Sequence, residues 1–255
     1  MIIRKSPQEI ETMARAGNVV AATLEVLGEN VRPGVTTKEL DEIAEAFIRS
    51  QGGTPTFKGY RGFPGSICAS PNAMVVHGIP GRYRLAGGDV ISIDVGVTLD
   101  GFVADSAYTF GVGELDPGAQ RLLDACQAAL AAGIDQARPG NHIGDVSSAV
   151  QRATEAAGFS VVRTLVGHGI GRSMHEEPQI PNFGESGRGP KLAAGMTLAI
   201  EPMINAGDPG VFVENDGWSV STTDGSLSAH FEHTVAVTED GPRILTRATV
   251  GSLLR

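Results

Sequence analysis

The chain repeats itself, and the repeat limits its architecture more than any other feature. LAGGDVISIDV (85–95) aligns without a gap on LAAGMTLAIEP (192–202), at an offset of 107 that sets Asp94 on Glu201. Upstream, VRPGVTTKELDEIAEAFIRSQGG (31–53) aligns on ARPGNHIGDVSSAVQRATEAAGF (137–159) at an offset of 106. Two echoes in the same order, at nearly the same spacing, point to a duplicated unit and pseudo-twofold symmetry. The expected organisation is a single domain over 1–255, built from halves near 1–110 and 111–240.

Each half reads as helix, helix, then antiparallel strands. The first long helix opens at Ser6–Pro7, where Glu9 completes a capping box. The second opens at Thr36 with Glu39, and Leu40, Ile43, Ala44, Phe47 and Ile48 share one of its faces. A third opens near Asp116–Pro117. Strands that come in hairpins, rather than alternating with single helices, make the fold class α+β.

In VISIDVG, alternation sends Val90, Ser92 and Asp94 to one face and Ile91, Ile93 and Val95 to the other. A carboxylate on a mostly apolar strand is costly unless it is paired, protonated or bound to a cation. Asp100–Gly101 marks a hairpin turn, after which FVADSAYTF carries Asp105. With Leu99–Asp100 at the centre, Asp94 and Asp105 are directly opposite; with Asp100–Gly101 as the loop they are two places apart on the same face. The second half matches this, with Glu201 in AIEPM and Glu232 on the returning strand of HFEHTVAV. Pro202 biases Glu201 towards the end or edge of its strand. The longer interval between those two acids, 31 positions against 11, leaves room for an insertion carrying Trp218.

Four carboxylates on one patch cannot all stay ionised without cations. Two divalent ions balance their charge, and a carboxylate-bridged metal pair is a recurring hydrolytic arrangement. VGHGIGRSMHEEP (166–178) adds His168, flanked by glycines that permit close backbone approach, and His175. His77 in VVHGIP has weaker support, and His233 should point away from Glu232 on a strand. HEEPQ does not complete an HExxH zinc helix, and neither a P-loop nor a GxSxG elbow occurs. An oxygen-rich site with one or two histidines suits metal-activated water.

Composition bounds the setting. A net charge of −9 argues against binding nucleic acid or an anionic membrane. Cys68 and Cys126 are too few for a disulfide framework and fit a reducing compartment. With no signal-peptide core and no apolar run long enough for a membrane span, the expected location is the cytoplasm.

Over nearly its whole length the sequence resembles the type I methionine aminopeptidases. The segments that carry the resemblance are GYRGFPGSICASPNAMVVHGIP, DVISIDVGVTLDGFVADSAYTF, GHGIGRSMHEEP, LAIEPM and FEHTV. The resemblance implies the pita-bread fold of the creatinase and aminopeptidase enzymes, with outer helices over antiparallel sheet. It implies two divalent ions (cobalt, manganese, iron or zinc) on Asp94, Asp105, His168, Glu201 and Glu232, with Asp105 and Glu232 bridging. It places His77 and His175 against substrate and Glu201 as the proton carrier, and it lines a methionine pocket with Tyr60, Phe63, Cys68, Met174 and Trp218.

The implied activity is removal of the initiator methionine from nascent polypeptides whose second residue is small. The enzyme would act as a monomer, with room for a transient ribosome contact. The 31-position interval matches type I rather than type II, and the zinc-binding N-terminal extension of eukaryotic type I enzymes is not expected. Phe63, Met174 and Phe57 stand where tyrosine, phenylalanine and cysteine are frequent in bacterial forms, so the pocket differs in shape. The alternatives are an aminopeptidase P or prolidase relative, which usually carries an additional N-terminal domain, and a non-catalytic binding protein on the same fold, which typically lacks the metal ligands.

Overall fold

A computed structural model describes residues 1–247. The first half begins with α1 (Pro7–Asn30) and α2 (Thr37–Ser50), followed by β1 (Thr54–Pro55), β2 (Cys68–Pro71) and β3 (Met74–Val76), and closes on the hairpin β4 (Val90–Leu99) and β5 (Phe102–Gly111). The second half begins with α3 (Pro117–Asp135) and α4 (Ile143–Ala156). There follow β6 (Ser160–Val161), β7 (Val166–Gly169), β8 (Glu176–Pro181) and β9 (Thr197–Ile200). Four short strands are inserted next: β10 (Met203–Asn205), β11 (Val211–Val213), β12 (Val220–Thr222) and β13 (Ser228–His230). β14 (His233–Thr238) and β15 (Gly241–Ile244) complete the order.

The helices start where the sequence places their caps. Ser6 with Glu9 and Thr36 with Glu39 both form reciprocal capping boxes, and Asp116 caps α3 ahead of Pro117. Each box satisfies backbone donors that a helix end otherwise leaves unpaired. On α1, Ile10, Met13, Val20, Leu24 and Leu27 are buried, a spacing that lays one stripe against the first sheet.

Each half centres on one strand, β4 or β9, flanked by antiparallel partners: β2 and β5 on β4, β7 and β14 on β9. The loops that lead into these strands repeat the same backbone hydrogen bonds. Gly34 N–H donates to the Leu85 carbonyl at 2.8 Å, and Gly140 N–H to Leu192 at 3.0 Å. Leu85 N–H donates to Val35 at 2.9 Å, and Leu192 N–H to Asn141 at 2.7 Å. Thr37 with Tyr83, and Ile143 with Pro190, form a third pair, both at 3.0 Å. Helix-side partners differ by 106 positions and strand-side partners by 107, the two offsets of the sequence repeat.

One apolar cluster packs α1 and α2 on the first sheet, through residues such as Leu24, Leu40, Ile91 and Val95. Its counterpart packs α3 and α4 on the second, through Leu122, Val146, Leu198 and Val235. The helices therefore lie outside and the hairpins face inward. Among the described residues no helix is long and apolar enough to cross a membrane.

The register selects the second of the two expected hairpins. Leu99 pairs with Phe102, leaving Asp100–Gly101 as the loop, and both loop residues have positive φ, 50° and 75°. That is the type I′ geometry whose twist matches the flanking strands, and Asp–Gly adopts it readily. Asp94 therefore pairs with Ala107 and Asp105 with Gly96, so the acids are diagonal neighbours on one face.

Candidate active site

The two hairpins meet along a seam of side-chain and backbone hydrogen bonds. His230 N–H donates to Thr109 Oγ1 at 2.9 Å, and that hydroxyl donates to the His230 carbonyl at 2.8 Å. Ser106 Oγ donates to the Glu232 carbonyl, and Glu232 N–H donates to the Ala107 carbonyl at 3.0 Å. Thr234 Oγ1 accepts the Asp105 N–H at 3.0 Å and lies 2.8 Å from its carbonyl. These contacts join residues 105–109 to residues 230–234.

The seam gathers the four acids. Asp105 and Glu232 are 1% exposed, while Asp94 and Glu201 are half-buried where the cavity opens. Glu232 stands one residue before β14 rather than within it, and Glu201 one residue after β9. The last ladder pair is His233 with Ile200, so Glu201 and Glu232 lie opposite each other one step past it. Freed from the ladder there, Glu232 is held by the seam instead.

His168 joins them from β7, paired with Ala199 of β9. Its Nδ1–H donates to the Gly169 carbonyl at 2.9 Å. Nε2 is thereby left with its lone pair, 3.5 Å from Glu201 Oε1 and 3.8 Å from Asp105 Oδ2. A Cβ at position 169 would stand 2.7 Å from the Glu177 carbonyl carbon, so the glycine permits the strand approach that aims His168.

Burial, with repulsion among neighbouring carboxylates, holds Asp94, Glu201 and Glu232 well above the usual carboxylate range. Burial pushes Asp105 up to about 7. Donor atoms of Asp105, His168 and Glu232 all lie within 4.8 Å of one another. Asp94 Oδ1 and Glu232 Oε1 are buried without a hydrogen-bond partner. Buried acceptors are rarely left unpaired, and an oxygen set with one neutral imidazole matches a divalent cation. The residues present fit a metal centre.

Beside the acids lies a cavity of about 290 Å³, lined by Tyr60, Phe63, Cys68, His77, Met174, His175 and Trp218. All seven substrate-side residues expected from the resemblance therefore come together. Trp218 reaches the wall from the inserted segment and meets Phe63 edge to face, with centroids 5.2 Å apart. Phe57 and Met174 complete the apolar wall.

At the mouth, Tyr60 Oη is 2.9 Å from His175 Nδ1, and the His175 and His168 rings lie 4.2 Å apart. The cavity walls, then His168, Arg61 and His77, push His175 down to about 4, so the imidazole is neutral near pH 7. His77 follows β3 with φ of 59°, a left-handed conformation that costs a non-glycine residue about 1–3 kcal/mol.

Three participants carried no usable sequence signal. His230 is fully enclosed, with Nε2 unpartnered and 3.8 Å from Glu201 Oε2. Thr234 braces Asp105, and Asn182 Nδ2 donates to the Glu201 carbonyl at 3.0 Å. His233, which alternation turns away from Glu232, bonds instead to Thr246 Oγ1 at 2.9 Å.

The profile of metallopeptidase family M24 matches residues 11–239. The methionine aminopeptidase of Clostridium perfringens is 54% identical over 246 residues, covering 96% of this chain and 99% of the relative. Methionine aminopeptidase 1 of Bacillus subtilis is 51% identical, covering 97% of this chain and 100% of the relative. The crystal structure of methionine aminopeptidase from Rickettsia prowazekii superposes with a TM-score of 0.96 at 42% identity, over 97% of this chain and 100% of that one. A duplicated hairpin core, a nest of buried acids and these full-length likenesses agree: the chain has the pita-bread fold and belongs to metallopeptidase family M24, among the methionine aminopeptidases.

Proposed function

We propose that the protein removes the initiator methionine from polypeptides whose second residue is small, as a single catalytic domain built by duplication. The observation that carries this reading is the juxtaposition of two surroundings. An apolar cavity sized for one side chain opens onto four acids and the free Nε2 of His168. Methionine side chains prefer such soft, mixed aromatic and aliphatic walls.

Asp94, Asp105, His168, Glu201 and Glu232 would hold two divalent ions, a reading supported by the donor atoms of Asp105, His168 and Glu232 lying within 4.8 Å of one another. Such ions supply Lewis acidity and make water acidic enough to deprotonate near neutral pH. Glu201, half-buried beside His168, takes a proton from the attacking water and passes it to the departing amine. His175, neutral and oriented by Tyr60, donates a hydrogen bond to the scissile carbonyl oxygen as negative charge develops there. His77, in the cavity lining, contacts the scissile amide nitrogen. The 31-position interval between Glu201 and Glu232 supports assignment to type I. The two buried free cysteines support work in a reducing compartment, the cytoplasm.

Two peptides that differ at the second residue provide the test. Methionine should be released from a Met-Ala peptide and not from a Met-Leu peptide. Chelation should abolish release, and a divalent cation should restore it. Equal cleavage of both peptides would remove the proposed specificity, and chelator-resistant turnover would remove the metal.

A further inference from the structure

The loop that carries His175 is anchored from an unexpected place, the start of the chain. Lys5 Nζ lies 2.5 Å from Glu176 Oε2, and the two side chains are only 3% and 7% exposed. Lys5 N–H also donates to the Gly195 carbonyl at 2.7 Å, and Arg4 Nε donates to Ala194 at 2.6 Å. Residues 4 and 5 therefore bridge two segments of the site. One is the turn before β9, which leads to Glu201; the other is the loop over 170–176.

Glu176 closes that loop on itself. Its Oε1 accepts the N–H groups of Arg172 at 2.9 Å and Ser173 at 3.3 Å, while Oε2 takes the lysine. The packing leaves room for nothing else: a Cβ at Gly171 would stand 2.7 Å from Glu176 Oε1 and 2.8 Å from Lys5 Nζ. Met174 and His175 are the two residues between Ser173 and Glu176, one walling the cavity and the other at its mouth.

A buried ion pair contributes little net stability, since both charges lose their hydration, whereas removing one partner strands the other at high cost. What such a pair does provide is a single allowed arrangement, because its hydrogen-bond directions are demanding.

We infer that Lys5 is a positioning residue, acting through the Glu176 carboxylate to hold His175 in its working orientation. The inference rests on the reading of His175 as a group that meets the scissile carbonyl. A misplacement of about 1 Å at such a group lowers turnover by as much as 100-fold.

The test is a double-mutant cycle on kcat with the metal-loaded enzyme and a Met-Ala peptide, using Lys5→Met, His175→Ala and the combination. Lys5→Met should lower kcat by about 10- to 100-fold. In the His175→Ala background it should change kcat by less than about twofold, because the group it positions is gone. Calorimetric titration should give the same metal stoichiometry for Lys5→Met as for the parent. If Lys5→Met does not fold, Lys5→Met/Glu176→Gln replaces it throughout the cycle. That pair removes both charges while keeping an acceptor for the Arg172 and Ser173 N–H groups.

A Lys5→Met loss of equal size in both backgrounds, or a lowered metal stoichiometry, overturns the inference in favour of general loosening. Full kcat in Lys5→Met with a deep loss in His175→Ala overturns the inference alone. Full kcat in His175→Ala overturns the reading of the site and the inference together.

Discussion

Thr234 Oγ1 sits against Asp105 from the other half of the chain, 3.0 Å from its amide nitrogen, 2.8 Å from its carbonyl oxygen and 3.2 Å from Oδ1. One buried hydroxyl thereby sets both the backbone and the carboxylate of the acid at the centre of the cluster. Thr234→Val keeps the shape and deletes these bonds. It is expected to lower stability by about 1–3 kcal/mol, the cost of stranding buried partners. It should also weaken metal binding, since Asp105 loses its brace. Urea unfolding and calorimetric metal titration check the two effects, and intact values for both would show that the hydroxyl is incidental.

Asp105→Asn removes a central charge without changing volume. We expect metal stoichiometry to fall and turnover to drop by a factor of at least about 100, as for the loss of a strong electrostatic contributor. Elemental analysis of dialysed protein reads the first and peptide hydrolysis the second. Unchanged metal content and rate would count against a bridging role.

His230 has its own expectation. Its imidazole is enclosed, with Nε2 unpartnered and 3.8 Å from Glu201 Oε2. His230→Leu should reduce kcat more than KM, because the group it faces, Glu201, is the proposed proton carrier. His230→Gln, which restores a neutral donor, should recover much of the loss. Equal damage from both variants would assign His230 to packing alone.

The acid stability of the cavity loop has a calculable sign. Lys58 and Arg49 donate to the Glu45 carboxylate and lower it from 4.5 to about 2. Glu45 also accepts from Ser66 Oγ at 3.2 Å, so it tethers to α2 the segment that carries Tyr60 and Phe63. A carboxyl whose pKa is lower in the folded state stabilises above its unfolded value. That contribution disappears as pH falls from about 4.5 through about 2. The pair is partly solvated, so the effect should stay within about 1 kcal/mol. Comparing urea midpoints of the parent and Glu45→Gln across that range provides the check. The gap should close at the acid end, and a gap that widened there would reverse the assignment.

Much of this molecule is legible in one dimension. The offsets of 106 and 107 announce paired halves because a duplicated unit keeps its turn residues, caps and strand pattern. Ser6 with Glu9 and Thr36 with Glu39 cap helices through contacts three residues apart, so local spacing suffices to find them. Asp94 and Asp105 share a face under either hairpin register, because a strand's side chains alternate with period two. Glycines around His168 signal close backbone approach for the same local reason.

Other features depend on residues more than a hundred positions apart. The seam of Thr109 with His230, Ser106 with Glu232 and Asp105 with Thr234 spans separations of 121 to 129. Serine and threonine at those positions look like any strand residues until the second hairpin arrives. The same holds for Lys5, whose partner Glu176 lies 171 positions away and whose burial no charge pattern foretells. The sequence alone indicated the long helices, the two acid-bearing hairpins, their duplication and the chemistry expected of the site. Packing decided which donors face which acceptors, because that choice is made by the summed burial of both halves rather than by any local preference.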